Sequence, residues 1–268
     1  MFATERKYLN DSEEFEWGFD AFQEHLISGG GPSYSEDFVT QVKTALSEKP
    51  NDNLRHFIFS LSANPNLLSQ WIAYAEDGRG FAIGLNANTL RDRSGFGEHV
   101  LRDIDLANMP KEFCYCYHLL PVIYEQRAQK ETMVEFLAAA NSFWMQCEER
   151  NHPDVQTFFR LVFQHRVKEL LISFKNPAFK EESEWRIVAT IHKDGKNILF
   201  RNGRFGITPY VKLNLSPRYI LPSRKLDLTS LRVGPNSAAN KNRRGLEMLL
   251  ASKNIDIGLT FSGMGYRT

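Results

Sequence analysis

The run Ile187-Val188-Ala189-Thr190-Ile191 is apolar, β-branched and short, which is the pattern of a buried strand. Directly before it stands Phe179-Lys180-Glu181-Glu182-Ser183-Glu184-Trp185-Arg186. If the strand extends back through this stretch, Glu182 and Glu184 point to one face, about 6–7 Å apart, with Arg186 on the same side. Two close carboxylates raise one another's pKa, and a guanidinium lowers it. Such a group suits proton transfer or the stabilisation of a cationic transition state. The same residues also fit a plain ion-pair cluster at a solvated strand end.

A chain of 268 residues buries a substantial core and suits one large domain. The expected organisation is a single domain over 1–268 with a helical insert at about 127–175. A formal net charge of +1 gives no global field that favours or excludes nucleic acid. The basic cluster Lys241-Asn242-Arg243-Arg244 is short and reads as a solvated helix face. Three cysteines in a chain this long do not make a disulfide framework and fit a reducing, cytoplasmic location. Cys114-Tyr115-Cys116 with His118 lacks the spacing of a zinc site, so no metal is expected. No apolar run approaches the ~20 residues that span a membrane. The first residues carry no apolar signal core.

Along the chain, Asn10-Asp11-Ser12 with Glu14 starts a helix over about 12–28. Gly29-Gly30-Gly31-Pro32 ends it, and a second helix covers about 35–48. Strands are expected at His56–Ser62, Phe81–Leu85 and Pro121–Tyr124. Between the first two, a short helix places Trp71 and Tyr74 on one face, either beside a pocket or simply in the core. Two helices fill about 127–173, broken near Asn151-His152-Pro153, and His165 reads as a packing histidine on one of them. Asp194-Gly195 signals a hairpin that pairs the strand holding Glu184 with Ile198–Phe200. Strands at Thr208–Leu213, Leu228–Val233 and Ile257–Ser262 follow, with a helix at about 237–252 before the last. Pro209 is expected at a strand start or an edge. The expected class is α+β, a mixed but mostly antiparallel sheet in a split two-sheet core with a helical insert.

No phosphate loop, dinucleotide fingerprint, zinc-protease motif or nucleophile elbow is present. An ordered set of residues is present instead. It comprises Leu9-Asn10-Asp11 with Glu14, Phe59-Ser60-Leu61-Ser62, Trp71 with Tyr74, and Gly78 with Gly80-Phe81 and Ile83-Gly84. It continues through Tyr124, Lys175, Phe179, Glu182, Glu184-Trp185-Arg186, Pro209-Tyr210, Gly234-Pro235 and Phe261-Ser262-Gly263. In order and spacing this set resembles the bacterial family of domain of unknown function twenty-nine seventy-one.

The layout is more distantly similar to ADP-ribosyltransferases. In those enzymes an early strand holds the nicotinamide end of NAD. A middle strand and helix supply a serine and an aromatic, and a late strand begins with a glutamate that stabilises the oxocarbenium-like transition state. The resemblance implies Glu184 as that carboxylate and Glu182 as an accessory glutamate for the acceptor. It implies Ser60 and Ser62 as the middle-strand serines, with Trp71 and Tyr74 stacking on nicotinamide or an acceptor base. Lys175 and Arg186 would meet the pyrophosphate or pair with the glutamates, and Asn10, Asp11 and Glu14 would line the opposite rim.

In one respect the chain departs from the family. Members usually carry a segment with His or Tyr and Thr-Ser near an opening strand, whereas here eight residues precede Leu9, so the nicotinamide-gripping part is expected to be missing.

The implied function is NAD-dependent ADP-ribosyl transfer to a nucleic-acid base or a protein side chain, in a toxin or phage-defence setting. One alternative is a non-catalytic binding or sensing module in which these charges hold the fold. Another is a metal-dependent nuclease with Asp11, Glu14, Glu182 and Glu184 around Mg²⁺.

Overall fold

A computed structural model describes residues 1–9, 18–20, 22–24, 34–48, 53–88, 90, 116–203, 206–213, 228–236 and 239–266. The class is α+β, with a six-stranded sheet in the order β4-β5-β2-β1-β7-β6 and a three-stranded sheet in the order β3-β8-β9. The large sheet comprises β1 (Phe2–Glu5), β2 (Leu54–Ser62), β4 (Cys116–Pro121), β5 (Glu184–His192), β6 (Leu199–Gly203) and β7 (Gly206–Lys212). All its pairings are antiparallel. The small sheet comprises β3 (Phe81–Leu85), β8 (Leu228–Val233) and β9 (Gly258–Phe261), and its β8–β9 pair is parallel.

The longest pairing joins β2 to β5, in register from Leu54 opposite His192 to Ser62 opposite Glu184. Because side chains alternate between faces, one face carries Phe57, Ile187, Ala189 and Ile191. These pack with Ala3, Val211 and Leu213, and Leu85 of the small sheet reaches the same cluster. The other face carries His56, Ile58 and Ser60 of β2 with Arg186, Val188 and Thr190 of β5. Helices cover this face, and Ile172 packs on Ile58 and Val188.

The helical layer consists of α1 (Glu36–Ser47), α3 (Gln126–Gln146) and α4 (Pro153–Ile172). Ser35 caps α1 by accepting from the Phe38 N–H at 3.3 Å, and Glu36 and Asp37 favour its N-terminal dipole. Phe38, Val42 and Ala45 recur at helical spacing and are buried. They meet Met133, Leu137 and Trp144 of α3 and Phe159, Phe163 and Val167 of α4. The Trp144 indole N–H donates to Asp37 at 3.0 Å, which anchors α3 to the first turn of α1. Each such aromatic contributes about 1.5–3 kcal/mol by leaving water. Pro153 occupies the first turn of α4, where a missing N–H costs nothing.

The small sheet packs Leu231 and Val233 against Leu246 and Leu250 of α5 (Ala239–Ser252). α2 (Leu68–Tyr74) precedes β3 in the chain. Gly234 has no room for a side chain, because a Cβ there would sit 2.2 Å from the Gly78 carbonyl oxygen. No described helix is long and apolar enough to cross a membrane.

Several sequence expectations need correction. The strand expected at Pro121–Tyr124 runs instead over Cys116–Pro121, and Ile123 makes only an isolated bridge to Phe174. The Asp194-Gly195 turn forms, but β5 pairs with β2 and β4, while β6 pairs with β7. A strand that already has partners on both edges has no edge left for the chain that follows it. Pro209 lies inside β7, an inner strand. It falls just past the last β1 pair, Thr4 with Tyr210, and stands opposite Phe200 of β6. A strand that the sequence reading did not assign, Phe2–Glu5, forms β1 between β2 and β7. The first expected helix falls mostly outside the described residues; 18–20 and 22–24 are helical.

Candidate functional site

The C-terminal end of α4 delivers the chain to the end of the sheet where β5 begins. Ser173 closes the helix by donating to the Leu170 carbonyl at 2.6 Å. Phe174 bridges to Ile123, and Lys175 follows. Asn176 then caps a 3-10 helix over Pro177–Glu182 by accepting from the Ala178 N–H at 2.9 Å. Ser183 takes the left-handed conformation, with φ 44°, and turns the chain into β5. Glu182 therefore ends a helical turn, and only Glu184 belongs to the strand. The expected alternation that placed both carboxylates on one strand face is corrected here, because the left-handed residue interrupts it.

The two carboxylates still converge, through Lys175. Its Nζ donates to Glu182 Oε2 at 2.8 Å and to Glu184 Oε2 at 3.2 Å. Arg186 forks onto Glu184, from Nε to Oε1 and from Nη2 to Oε2, both at 2.9 Å. Its Nη1 donates to the Ile172 carbonyl at 2.6 Å, tying the strand to the end of α4. The Ser60 side chain, across the β2–β5 ladder, also favours the charged form of Glu184. Glu184 is 7 % exposed and Arg186 5 %, so the cluster is not the solvated strand end that composition allows.

Burial acts to raise the Glu184 pKa; the Arg186 bonds and charge, then Lys175 and Ser60, outweigh it and hold the carboxyl below its ordinary value. Glu184 is thus a carboxylate, and Lys175 and Arg186 balance the charges of Glu182 and Glu184. Burial raises the Tyr124 pKa, and its hydroxyl accepts from the Glu184 N–H at 2.9 Å. Lys175 also lies 5.0 Å from the centroid of the Phe179 ring.

The remaining expected residues occupy different places. The Ser62 hydroxyl donates to the Glu182 carbonyl at 2.7 Å and accepts from the Asn64 N–H at 3.1 Å, so it holds the loop that carries Glu182. Trp71 is buried and donates from Nε1 to Asn66 at 3.0 Å; Asn66 in turn donates to the Ser262 carbonyl beyond β9. These bonds tie Trp71 to the small sheet rather than to Glu184. Tyr74 is 67 % exposed. Asn10, Asp11 and Glu14 lie outside the described residues.

Gln129 is a residue that sequence reasoning missed. It is buried in α3 and donates from Nε2 to the carbonyls of Ile123 at 2.6 Å and Lys175 at 3.0 Å. It thereby fixes the two segments that carry Tyr124 and Lys175. A single Gln on an amphipathic helix carries no signal for this role.

Chemically, the site offers a carboxylate held in its charged form and two cations, one of them shared with a second, partly exposed carboxylate. A carboxylate has about four lone-pair positions. Three nitrogen donors occupy positions on Glu184, and Lys175 is the donor with a second anion to turn to.

No curated protein and no solved structure matches the chain. Residues 70–187, a span that includes Trp71, Tyr74, Lys175, Glu182, Glu184 and Arg186, match the family described as protein of unknown function (DUF2971).

Proposed function

We propose that this chain transfers ADP-ribose from NAD to a macromolecular acceptor, a nucleic-acid base or a protein side chain, with Glu184 as the carboxylate that faces the developing positive charge. One observation carries the reading: the early, middle and late strands β1, β2 and β5 are immediate neighbours, and the late one begins with an ionised glutamate beside Ser60. The distantly similar transferases are expected to share this order of early, middle and late strands, which supports the reading. As the ribose C1′–nicotinamide bond breaks, neutral nicotinamide leaves and C1′ gains oxocarbenium character, which a fixed carboxylate stabilises. The acceptor nucleophile then bonds to C1′ and gives its proton to a base. Glu182 fits this role, since it is the less buried carboxylate and is held by Lys175. A ribose hydroxyl reaches Glu184 by taking the place of Lys175, which keeps Glu182 as partner. Toxicity, or action in phage defence, would follow from modifying a cellular macromolecule.

A specific observation also favours a second reading, that of a non-catalytic binding or sensing scaffold. Glu184 is fully hydrogen-bonded within the protein, as in a fold-holding ion pair. The nuclease reading draws less support, because Lys175 and Arg186 already neutralise Glu182 and Glu184 and a divalent cation would have to displace them.

Incubation of the full chain with adenylate-labelled NAD and a cell extract separates these readings. Transfer predicts label on a macromolecule, and Glu182→Gln is expected to lose the label while still releasing nicotinamide. No label and no nicotinamide release would leave the scaffold reading. Divalent-dependent cleavage of nucleic acid would turn the assignment to the nuclease.

A further inference from the structure

A second polar cluster lies about 20 Å along β5 from Glu184, six residues up the strand at Thr190, the partner of His56. His56 projects from β2 into the layer beneath α4 and is 4 % exposed. His165 of α4 stacks on it, with ring centroids 5.3 Å apart and planes 19° from parallel. Glu169, one helical turn on, approaches His165 Nε2 with Oε1 at 3.4 Å, and His118 Nε2 of β4 lies 3.8 Å from the same oxygen. His56 Nε2 and His165 Nδ1 are buried without a hydrogen-bond partner. One ligand atom from each of His56, His165 and Glu169 falls within 4.8 Å of the others. Leaving buried imidazole nitrogens unsatisfied carries a cost of about 1–3 kcal/mol each.

We propose that His56, His165 and Glu169 form a binding site for one zinc ion that clamps α4 onto the large sheet. Two imidazoles and a carboxylate are a zinc ligand set, and water or His118 completes four-coordination. Tetrahedral zinc with bonds of about 2.0–2.1 Å needs donors about 3.4 Å apart, so the ligands close by roughly an ångström through side-chain rotation. Glu169 is already oriented for the role. Arg166 donates to its Oε2 at 2.8 Å and leaves Oε1 turned towards the histidines.

A cleft lined by Glu5, Arg6, Lys7, Leu54, Arg55, His56 and Lys168 connects His56 to the surface. Its positive charge disfavours ions held mainly by electrostatics, such as Mg²⁺ or Ca²⁺, and leaves the advantage to metals that bond strongly to imidazole. The three ligands come from a strand and a helix far apart in the chain, outside any Cys/His motif, which is why the cysteine pattern gave no hint of them.

Metal content and spectroscopy test the site on the full chain without reference to NAD chemistry. Chelator-stripped protein is loaded with Zn²⁺ or Co²⁺ and desalted, and its metal is counted. The proposal predicts one ion per chain and a rise in Tm with Zn²⁺. It further predicts Co²⁺ visible absorption of tetrahedral character, with no thiolate charge-transfer band, so that the three cysteines are excluded as ligands. His165→Gln and Glu169→Gln should each lose the retained ion. Failure of the wild type to retain metal overturns the proposal, as does a thiolate band. So does unchanged retention in both variants. The wild-type spectrum decides the matter even if a variant does not fold.

Discussion

Replacement of Glu184 by Gln removes the anion that neutralises two buried cations. Lys175 retains Glu182 at 2.8 Å, so its charge stays compensated. Arg186 keeps the Ile172 carbonyl at 2.6 Å but loses both of its bonds to the Glu184 carboxylate. Breaking one side of a buried ion pair costs about 3–5 kcal/mol, and the surviving Lys175–Glu182 pair puts this case near ~3 kcal/mol. For a urea slope of about 3 kcal/mol per molar, the midpoint falls by about 1 M. Glu182→Gln, at a partly exposed carboxylate, should cost about 1 kcal/mol or less. Adding Arg186→Met to Glu184→Gln removes the guanidinium that has lost this carboxylate and should recover part of the loss. The assay is equilibrium urea unfolding of the four proteins at neutral pH. If Glu184→Gln unfolds within about 0.5 kcal/mol of wild type, or the double variant is less stable than the single, Arg186 does not depend on Glu184 and the reasoning fails.

Acid should destabilise the protein in two windows. His56 has its folded pKa lowered to about 3, so between that value and its ordinary 6.5 the unfolded chain binds the extra proton; stability falls by up to about 1.4 kcal/mol per pH unit as pH drops through this range. Glu184 and Glu169, both held below the ordinary 4.5, add stability that is present above that value and is lost as pH falls below it. A flat stability profile from pH 7 to 5 would contradict the His56 contribution. Gly234→Ala should cost about 1–3 kcal/mol, because its Cβ meets the Gly78 carbonyl oxygen at 2.2 Å and loosens the junction of β3 and β8; an unchanged Tm would refute that close approach. Trp71→Phe removes the bond to Asn66 and should cost about 1 kcal/mol, read by thermal unfolding.

The strands of the two sheets were largely legible because their apolar runs are short and β-branched, as in Ile187–Ile191, and α4 was legible as a helix from the spacing of Phe158, Leu161, Val162 and His165, although the face it buries is that of Phe159, Phe163 and Val167. Pairing was less legible. The Asp194-Gly195 turn looks like a hairpin locally, but β5 finds partners 54–62 and 116–121, and no local signal encodes a register across that distance. Around Glu184 the charged residues could be named from the sequence, and their convergence could not. Ser183 in the left-handed conformation breaks the expected alternation, and Lys175, on a turn after α4, replaces it as the link between the carboxylates. Gln129 and the His56–His165–Glu169 cluster were invisible for the same reason, since each depends on contact between elements distant in the chain.

The central claim is that the ionised glutamate at the head of β5 serves glycosidic chemistry on NAD. Its most direct test is nicotinamide release from NAD by the full chain, quantified chromatographically beside Ser60→Ala and a folded Glu184→Gln. The account predicts release by the wild type, a reduced rate in Ser60→Ala, and loss in Glu184→Gln at temperatures where circular dichroism shows that variant native. Nicotinamide release that persists undiminished in folded Glu184→Gln, or none from the wild type with extract present, would contradict it.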